Sequence, residues 1–298
     1  MVLEKVAILI CTYNRNEKLK NTLKSIKELD YDLNKITIVI VDNDKNELAK
    51  DVVQAFKDKL NIIYQKEEKR GISYARNKCL EIVRNVDCDY VAFIDDDEYV
   101  CKEWLNEFVK GIKKLDADIV RGPVERVWKF NIPKWYEKSN ENPFSDIKDG
   151  ERLEKCFTGN ALLKKEVIKE INFDEKYALS GGEDTKFFMQ LNQKGYVMKF
   201  CKPAVVYEEI SKERVSIKYI VKRAFRDSAN YVIIEKEVLK TPFFIRLSKS
   251  IVKLLINLAV FPIRVIQGYK GIITLIKGIA RSSGEIYGLL TLNTIRGY

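Results

Sequence analysis

The chain has 298 residues, of which 46% are hydrophobic, so it can bury one large core or two modest ones and a disordered protein is excluded. Its charge is uneven, because residues 1–211 carry 37 Lys/Arg against 38 Asp/Glu, whereas residues 212–298 carry 16 against 5. This asymmetry predicts a body with a basic appendage whose partner is anionic, either a membrane surface or nucleic acid.

The numbers and spacings of cysteine and histidine limit the kinds of metal site, disulfide and acid–base residue that the chain can contain. The six cysteines stand at irregular spacings without a C-x-x-C pair, and the chain has no histidine. These counts argue against a zinc site or a disulfide framework and favour reduced thiols in the cytoplasm. Acid–base chemistry must then fall to Asp, Glu, Lys, Tyr or Cys. The first residues enter an apolar run with no basic stretch before it, so we expect no signal peptide.

Strand and helix patterns alternate at the start of the chain. The predicted strands span residues 6–10, 36–41 and 61–64, and the predicted helices span 17–29 and 48–56. Two strand-loop-helix units in series favour an α/β fold with a parallel sheet and crossover helices. The polar loops at 11–16 and 42–44 would then open on one edge of that sheet.

The stretch Y-V-A-F-I-D-D-D-E at 90–98 is a short apolar run that ends in four acids. Such a run suits a buried strand, and ligands bind beyond the carboxyl ends of strands in open α/β sheets. The adjacent carboxylates Asp95, Asp96 and Asp97 repel one another unless a cation lies between them. The stretch therefore favours a Mg²⁺ or Mn²⁺ site, and a solvated acidic turn is the alternative.

The sequence G-I-S-Y-A-R-N at 71–77 opens another predicted helix, over 74–83, with Ser73 as its N-terminal cap. Arg76 and Asn77 stand at its start, where a cation and an amide suit an anionic ligand. A surface helix with an exposed arginine is the alternative interpretation.

A long irregular segment separates the later elements. Periodicity predicts a helix over 104–115, a strand over 117–122 and a short helix over 163–168. Residues 126–154 have no periodicity, which is typical of functional loops in compact domains. Trp128 and Trp135 in this loop are candidates for stacking on an acceptor ring. Anchoring of the loop by buried aromatic rings is the alternative.

The sequence S-G-G-E-D-T at 180–185 precedes a helical pattern. Gly181 and Gly182 allow a ligand to approach the backbone closely, and Glu183 and Asp184 stand in the first turn, where the helix dipole favours carboxylates. A carboxylate here is a candidate base for deprotonating a hydroxyl nucleophile. An acidic helix start without function is the alternative.

The tail is basic and amphipathic. Arg246, Lys249 and Lys253 share one face of a predicted helix over 243–266, and the other positions are mostly apolar. The longest uncharged run has ten residues, 254–263, which is short of the ~18–20 that span a bilayer. We expect helices that lie in the plane of an anionic membrane surface. A packed helical subdomain is the alternative, and nucleic-acid binding would not need such apolar content.

Six motifs follow one another along the chain: C-T-Y-N-R at 11–15, V-D-N-D at 41–44, G-I-S-Y-A-R-N at 71–77, F-I-D-D-D-E at 93–98, T-G-N at 158–160 and G-G-E-D at 181–184. In this order they resemble the motifs of family 2 glycosyltransferases of the GT-A fold. Trp135, the run V-Y-E-E-I-S-K-E-R at 206–214 and the basic hydrophobic tail look similar to bacterial exopolysaccharide glucosyltransferases of the succinoglycan type. The resemblance implies an inverting transferase that uses a nucleotide-diphosphate sugar, most often a UDP-sugar, with glucose favoured.

The resemblance also implies donor contacts. Carried over motif by motif, the nucleotide or its phosphates would contact Thr12, Tyr13, Arg15, Gly71, Arg76 and Asn77, and the uracil base would contact Asp42. Asp95 and Asp97 match the D-x-D pair, in which the first reaches the ribose and the metal and the second coordinates Mn²⁺ or Mg²⁺. Asp96 would support this pair on the nucleotide side. Many relatives have a histidine near the metal, where this chain has Glu208 and Glu209.

On the acceptor side, Asp184 matches the usual catalytic base, and Glu183 would orient the acceptor. Gly181, Gly182, Trp128 and Trp135 are further candidates for acceptor contacts. The acceptor itself would be a glycan or a lipid-linked saccharide.

The expected organisation is a catalytic domain over 1–211 and a helical, membrane-associated region over 212–298. This places the protein on the inner face of the cell membrane, with no nucleic-acid partner. Two other functions stay open: a non-catalytic scaffold that retains nucleotide binding, against which the acids at 95, 97 and 184 argue, and a nucleotidyltransferase. The latter is expected to have a Gly-rich phosphate loop, whereas C-T-Y-N-R-N has no glycine.

Overall fold

The computed structural model describes residues 3–139 and 146–297, which form ten β-strands and ten α-helices. The strands are β1 (Val6–Thr12), β2 (Ile36–Asp42), β3 (Ile62–Lys66), β4 (Tyr90–Phe93), β5 (Glu98–Val100), β6 (Ile119–Arg121), β7 (Val124–Val127), β8 (Ala161–Lys164), β9 (Met198–Phe200) and β10 (Val206–Glu209). The helices are α1 (Asn16–Lys27), α2 (Lys50–Gln54), α3 (Ile72–Arg84), α4 (Trp104–Lys114), α5 (Lys134–Ser139), α6 (Glu183–Gln193), α7 (Ile217–Leu239), α8 (Phe243–Ala259), α9 (Phe261–Ile266) and α10 (Gly268–Thr291).

The chain divides into two compact units. The body comprises residues 1–127, 146–178 and 183–209, and the helical unit comprises 128–145, 179–182 and 210–298. The expected organisation placed a boundary at 211. The helical unit differs from that expectation because it also contains the irregular segment after β7 and the short stretch before α6.

The body contains a seven-stranded sheet in the order β3-β2-β1-β4-β8-β6-β9. Its neighbours are parallel except at β8, which runs antiparallel to both β4 and β6. A smaller sheet has the order β5-β10-β7. The mostly parallel α/β sheet expected from the sequence is therefore confirmed.

The site is positioned by β1, which is buried along almost its whole length because its residues are apolar on both faces. Its register sets Thr12 opposite Asp42 on β2 and Leu9 opposite Phe93 on β4. Since all three strands run in parallel, the polar loops that follow them open on the same edge of the sheet.

Three local predictions are wrong in detail. The short helix expected over 163–168 is strand β8 followed by a 3₁₀ helix, Lys165–Ile168, because the apolar run A-L-L is buried between two strands. Ser73 is not a cap, since α3 begins at Ile72 and the Ser73 hydroxyl donates to the Asp174 carbonyl (2.9 Å). The loop expected over 126–154 includes α5. Its residues 140–145 lie outside the described residues.

The helical unit packs α10 against α7 at close range. At Gly284, an added Cβ would lie 2.2 Å from the carbonyl oxygen of Phe225, so only glycine allows this approach of the two backbones. Among the residues that the structure describes, no helix combines the length and the apolar character required to cross a bilayer. All six cysteines lie in the described ranges and are free.

Candidate active site

The loop after β1 holds two of the three adjacent aspartates. The Thr12 hydroxyl donates to Asp96 (2.8 Å), and the Arg15 guanidinium donates to Asp96 (2.9 Å) and to Asp97 (3.2 Å). Lys18 on α1 adds an ion pair to Asp97 (3.2 Å). Both carboxylates are buried, so these contacts compensate their charge within the protein.

Asp95 differs from its two neighbours because 47% of its side-chain surface is accessible. Desolvation of its partly buried carboxylate raises the pKa of Asp95, against a partial opposing effect of Arg76. The charges of Asp97, Asp96 and Glu208 raise that pKa further. Asp95 therefore lies in an excess of negative charge and is open to a ligand.

The T-G-N motif borders the same acids. An added Cβ at Gly159 would lie 2.9 Å from Glu98 Oε1 and 3.7 Å from Asp95 Oδ2. Glu98 is buried and accepts a hydrogen bond from the Asp95 amide (3.0 Å), while β10 sets Glu208 opposite Glu98. Burial raises the pKa of Glu98 well above its usual value. The absence of a side chain at Gly159 leaves room beside these carboxylates.

Arg76 joins two separate parts of the site. Its buried guanidinium forms an ion pair with Glu183 at the start of α6, and it also lies 3.4 Å from Asp95 Oδ1. The ring of Phe173 lies beneath it, 5.6 Å from the guanidinium carbon. Burial raises the pKa of Glu183 to about 7, with a smaller contribution from Asp184 and opposition from Arg76.

Glu183 and Asp184 share the first turn of α6 but have different surroundings. Glu183 is 5% exposed, and its Oε2 is a buried atom without a hydrogen-bond partner. Asp184 is half-buried, and its Oδ1 accepts from the amide (2.6 Å) and hydroxyl (3.3 Å) of Thr185. Within the described ranges, Asp184 Oδ2 has no hydrogen-bond partner. One oxygen of Asp184 is thus fixed and the other is available.

Asp42 is engaged within the protein. Its carboxylate accepts hydrogen bonds from the amides of Asp44 (2.9 Å) and Ala49 (3.0 Å) and from the hydroxyl of Tyr64 (3.0 Å). These contacts hold the loop between β2 and α2. The expected contact of Asp42 with a uracil base stays a prediction.

Sequence reasoning missed the role of Asn43. Its amide donates to the carbonyls of Glu67 (2.9 Å) and Lys69 (2.7 Å) and accepts from the amide of Gly71 (2.7 Å). Gly71 itself has φ 142°, and a Cβ there would lie 2.7 Å from the Cβ of Ala178. Both features fix the loop that begins α3. Asn43 lies in V-D-N-D, but its partners are distant in sequence and left no local signal.

Asn77 and Tyr13, two expected nucleotide contacts, lie in contrasting environments. The Asn77 amide donates to the carbonyl of Phe173 (2.9 Å) and accepts from its amide (2.7 Å), so it positions the ring beneath Arg76. Tyr13 is 43% exposed, and the guanidinium of Arg70 lies 5.2 Å from its ring centre. Tyr13 thus offers a ring on which a base can stack, and Asn77 has a positioning role.

Asn160 is a second residue whose role the sequence did not reveal. It is fully buried, accepts from the Trp104 indole (2.8 Å) and donates to the carbonyls of Pro123 (2.8 Å) and Ala204 (2.7 Å). Its φ of 61° lies in the left-handed region, which asparagine tolerates better than most residues. Asn160 therefore holds the T-G-N turn in place. The only sign of this turn in the sequence of the motif was an asparagine that directly follows a glycine.

The two candidate tryptophans lie in the helical unit. Trp128 and Trp135 both contact the ring of Tyr136, at centroid distances of 5.4 and 5.6 Å, and they pack on a small core that contains Ile210 and Val215. This geometry fits the anchoring alternative. Stacking on an acceptor ring stays a prediction.

The fit of a divalent metal can be judged from these carboxylates. Within residues 3–139 and 146–297, no group of three or more carboxylates and thiols lies close enough to hold a metal ion by itself. A cation shared with a substrate diphosphate needs only one or two carboxylates. Asp95 fits this role because it is accessible and surrounded by like charge. Asp97 would first have to release Arg15 and Lys18.

Solved glycosyltransferases share this fold. A mannosyltransferase from Pyrobaculum calidifontis, solved with GDP-Man and Mn²⁺, covers 95% of this chain and 87% of its own with a TM-score of 0.63 at 15% identity. Residues 1–349 of Staphylococcus aureus TarS, solved with UDP-GlcNAc, cover 94% of this chain and 90% of their own with a TM-score of 0.56 at 15% identity. The mostly parallel sheet with flanking helices is the GT-A fold.

Sequence comparison identifies the family. Residues 7–171 match the model for Glycosyl transferase family 2. The succinoglycan biosynthesis protein ExoM of Rhizobium meliloti is 30% identical over 227 residues, which cover 74% of this chain and 72% of ExoM. The glycosyltransferase AglE of Haloferax volcanii is 24% identical over 225 residues, 71% of each chain. The chain belongs to glycosyl transferase family 2 and is a glycosyltransferase.

Proposed function

We propose that this protein transfers a hexose, with glucose favoured, from a UDP-sugar to a hydroxyl group of a glycan or lipid-linked acceptor in polysaccharide biosynthesis. Two comparisons support this substrate class. The relative from Rhizobium meliloti is named for succinoglycan biosynthesis, and the S. aureus structure of the same fold contains UDP-GlcNAc. The proposed reaction inverts the configuration of the transferred sugar and depends on Mn²⁺ or Mg²⁺.

The observation that carries the proposal is the arrangement around Asp184. Its Oδ1 is held by Thr185, while Oδ2 is available, as a general base requires. The acceptor hydroxyl gives its proton to Oδ2 while its oxygen forms a bond to the anomeric carbon. The bond from that carbon to the diphosphate oxygen breaks, and UDP leaves from the opposite face. Glu183, fixed by Arg76, orients the acceptor beside this base.

The donor pocket is assigned to the loops at the carboxyl edge of the sheet. Tyr13 offers its exposed ring to the base, and Asp95 its open carboxylate to the ribose. Arg76 contributes positive charge beside Asp95 for the phosphates. Asp95, and Asp97 once it is released from its ion pairs, would hold a divalent cation, which would neutralise charge on the leaving diphosphate.

The helical unit is assigned to an anionic membrane surface, on the inner face of the cell membrane. Helix α8 is turned with its polar positions inward, because Arg246 and Ser250 are buried while Phe244 is 81% exposed. The exposed apolar side chains continue through α9 and include Leu255, Ile256, Leu258, Phe261, Ile263 and Ile266. So large an apolar surface marks an interaction site, and the net positive charge of residues 212–298 complements an anionic membrane.

The decisive test supplies the purified full chain with individual UDP-sugars, Mn²⁺ and a glycan or lipid-linked saccharide acceptor. It measures UDP release and the anomeric configuration of the product. We predict that Asp184→Asn lowers turnover at least about 1000-fold, since it removes the base, and leaves UDP-sugar affinity nearly unchanged. Asp87→Asn, at an exposed ion pair with Lys5, is the matched control and should transfer normally. Unchanged turnover in Asp184→Asn would refute the assignment of the base.

A further inference from the structure

The stretch Leu179–Gly182 is held by contacts to which the proposed reaction assigns no role. It belongs to the helical unit and continues directly into α6, whose first two residues are Glu183 and Asp184. Gly181 and Gly182 have φ angles of 78° and 97°, and glycine has more backbone freedom than any other residue. Such a stretch keeps one conformation only if other groups bind it.

Asn230 on α7 binds this stretch. Its side chain is buried, and its amide nitrogen donates to the carbonyl of Ser180 (3.1 Å). Its amide oxygen accepts from the backbone N–H of Ile295 (3.0 Å). One buried side chain therefore joins α7, the stretch before α6 and the segment after α10. Losing it would leave a carbonyl and an N–H group without these partners.

The segment after α10, residues 293–297, makes a second contact with the same stretch. Leu292 at the end of α10 has φ 54°, a left-handed conformation in which helices commonly end. The backbone N–H of Gly297 then donates to the carbonyl of Leu179 (2.8 Å). The carbonyls of Leu179 and Ser180 are thus both held by groups that are distant in the sequence.

The position of Asn230 is itself fixed by the packing of α10 on α7. An added Cβ at Gly288 would lie 2.4 Å from the carbonyl oxygen of Ala229, the residue before Asn230. The same close approach occurs one turn earlier, between Gly284 and Phe225. The two helices therefore form a rigid support from which Asn230 holds the stretch before α6.

We propose that Asn230 and the segment after α10 position Asp184 for transfer by holding Leu179–Gly182 in one conformation. Within the described ranges, the hydrogen bonds of Asp184 go to Thr185 in its own turn, so its place follows the backbone at the start of α6. Asn230 is a positioning residue, because it acts through that backbone and not on the sugar. This inference rests on the proposed role of Asp184 as the base.

The kinetic test is Asn230→Ala, assayed with saturating donor and acceptor well below its unfolding transition. We expect kcat to fall at least about tenfold while KM for the UDP-sugar changes less than about twofold, because a small displacement of a reacting group costs turnover and the donor contacts lie on other loops. Ser250→Ala is the matched control, since it removes a buried hydrogen bond to Glu285 (2.8 Å) in the same unit. It should destabilise the protein similarly and keep the wild-type kcat.

Hydrogen exchange without substrates tests the same inference apart from transfer. The backbone N–H groups of Phe187 and Phe188 close the first turn of α6 onto the carbonyls of Glu183 and Asp184. In Asn230→Ala they should exchange at least about tenfold faster than in the wild type, and in Ser250→Ala at the wild-type rate. If the wild type transfers no sugar from any UDP-sugar, the proposed function fails and exchange still decides this inference.

Three results would overturn the inference. They are unchanged exchange at Phe187 and Phe188 in Asn230→Ala, wild-type kcat in that variant, and an equal loss of kcat in Ser250→Ala. If Asn230→Ala does not fold, Gly297→Pro takes its place, because it removes only the N–H group that donates to Leu179. The same exchange and kinetic outcomes then apply.

Discussion

Each unit of the molecule contains a buried arginine that bridges two carboxylates, and the two bridges differ in their electrostatics. In the body, Arg76 lies between Glu183 and Asp95. In the helical unit, Arg246 lies between Glu235 (2.6 Å) and Glu285 (3.1 Å), and Ser250 donates a further hydrogen bond to Glu285 (2.8 Å). The side chains of Arg76 and Arg246 are 8% and 7% exposed, so burial alone does not distinguish them.

The carboxylates respond in opposite directions. Burial raises the pKa of Glu183 to about 7, because Arg76 only partly compensates its charge. Burial also disfavours the charge on Glu285, but hydrogen bonds from Arg246 and Ser250 outweigh it and the pKa of Glu285 lies below its usual value. In the helical unit, the protein itself therefore compensates the negative charge of Glu285. In the body, the negative charge of Glu183 is not fully compensated, so a cation or a proton can bind there.

The largest expected effect is the loss of the satisfied bridge. We predict that Arg246→Met destabilises the protein by about 3–5 kcal/mol in urea unfolding, because it leaves the buried Glu285 and the partly buried Glu235 without their common partner. Arg223→Met, at an exposed pair with Asp227, is the control and should cost about 0–1 kcal/mol. A loss below 1 kcal/mol in Arg246→Met would show that the helical bridge is not what joins α7, α8 and α10.

The next effect separates two adjacent acids of the body. We predict that Asp95→Asn lowers Mn²⁺-dependent UDP affinity about tenfold or more, or about 1.4 kcal/mol, because Asp95 is the accessible carboxylate. Asp97→Asn should mainly reduce stability, by about 1–3 kcal/mol, because Arg15 and Lys18 lose their buried partner. Calorimetry and urea unfolding of both variants measure the two effects. The opposite pattern would make Asp97, and not Asp95, the main carboxylate ligand of the cation.

The exposed apolar face of the helical unit gives a prediction whose expected effect, about tenfold, is similar to that of Asp95→Asn. Phe244→Asp should lower partition onto phosphatidylglycerol vesicles about tenfold, since inserting a phenyl ring contributes roughly 1.5–3 kcal/mol when it is fully buried. Leu3→Asp, at an exposed apolar residue of the body, is the control in the same sedimentation assay. Equal partition of Phe244→Asp and the wild type would contradict a membrane role for α8.

The sequence predicted the body well because its signals are local. Apolar runs that end in polar motifs locate β1, β2 and β4, and their parallel order brings the motifs to one edge. In the tail, the same reasoning placed Arg246 and Lys249 on one face of a helix, yet Arg246 is buried and Lys249 is exposed. Periodicity identifies the faces of a helix, but which face turns inward depends on partners such as Glu285, which is distant in the sequence.

The smallest expected effect is on the pH dependence of stability, to which Glu183 in the body and Glu285 in the helical unit contribute differently. An acid whose pKa rises from 4.5 to about 7 on folding binds its proton more tightly in the folded state. Stability is then lost as the pH rises through this interval, by at most about 1.4 kcal/mol per pH unit for one proton. Glu183→Gln should flatten the slope of unfolding free energy between pH 5 and 7, measured by urea unfolding at each pH.

Glu285→Gln is the matched variant from the other bridge, and its slope has the opposite sign. Because folding lowers the pKa of Glu285, its contribution is present above the usual value of 4.5 and is lost as the pH falls below it. Glu285→Gln should therefore change the pH dependence of the unfolding free energy below about pH 4.5. Between pH 5 and 7 its slope should be the same as in the wild type. If both variants change the unfolding free energy over the same pH interval, Glu183 and Glu285 do not differ in pKa as their surroundings indicate. The uncompensated negative charge in the body must then lie on another carboxylate.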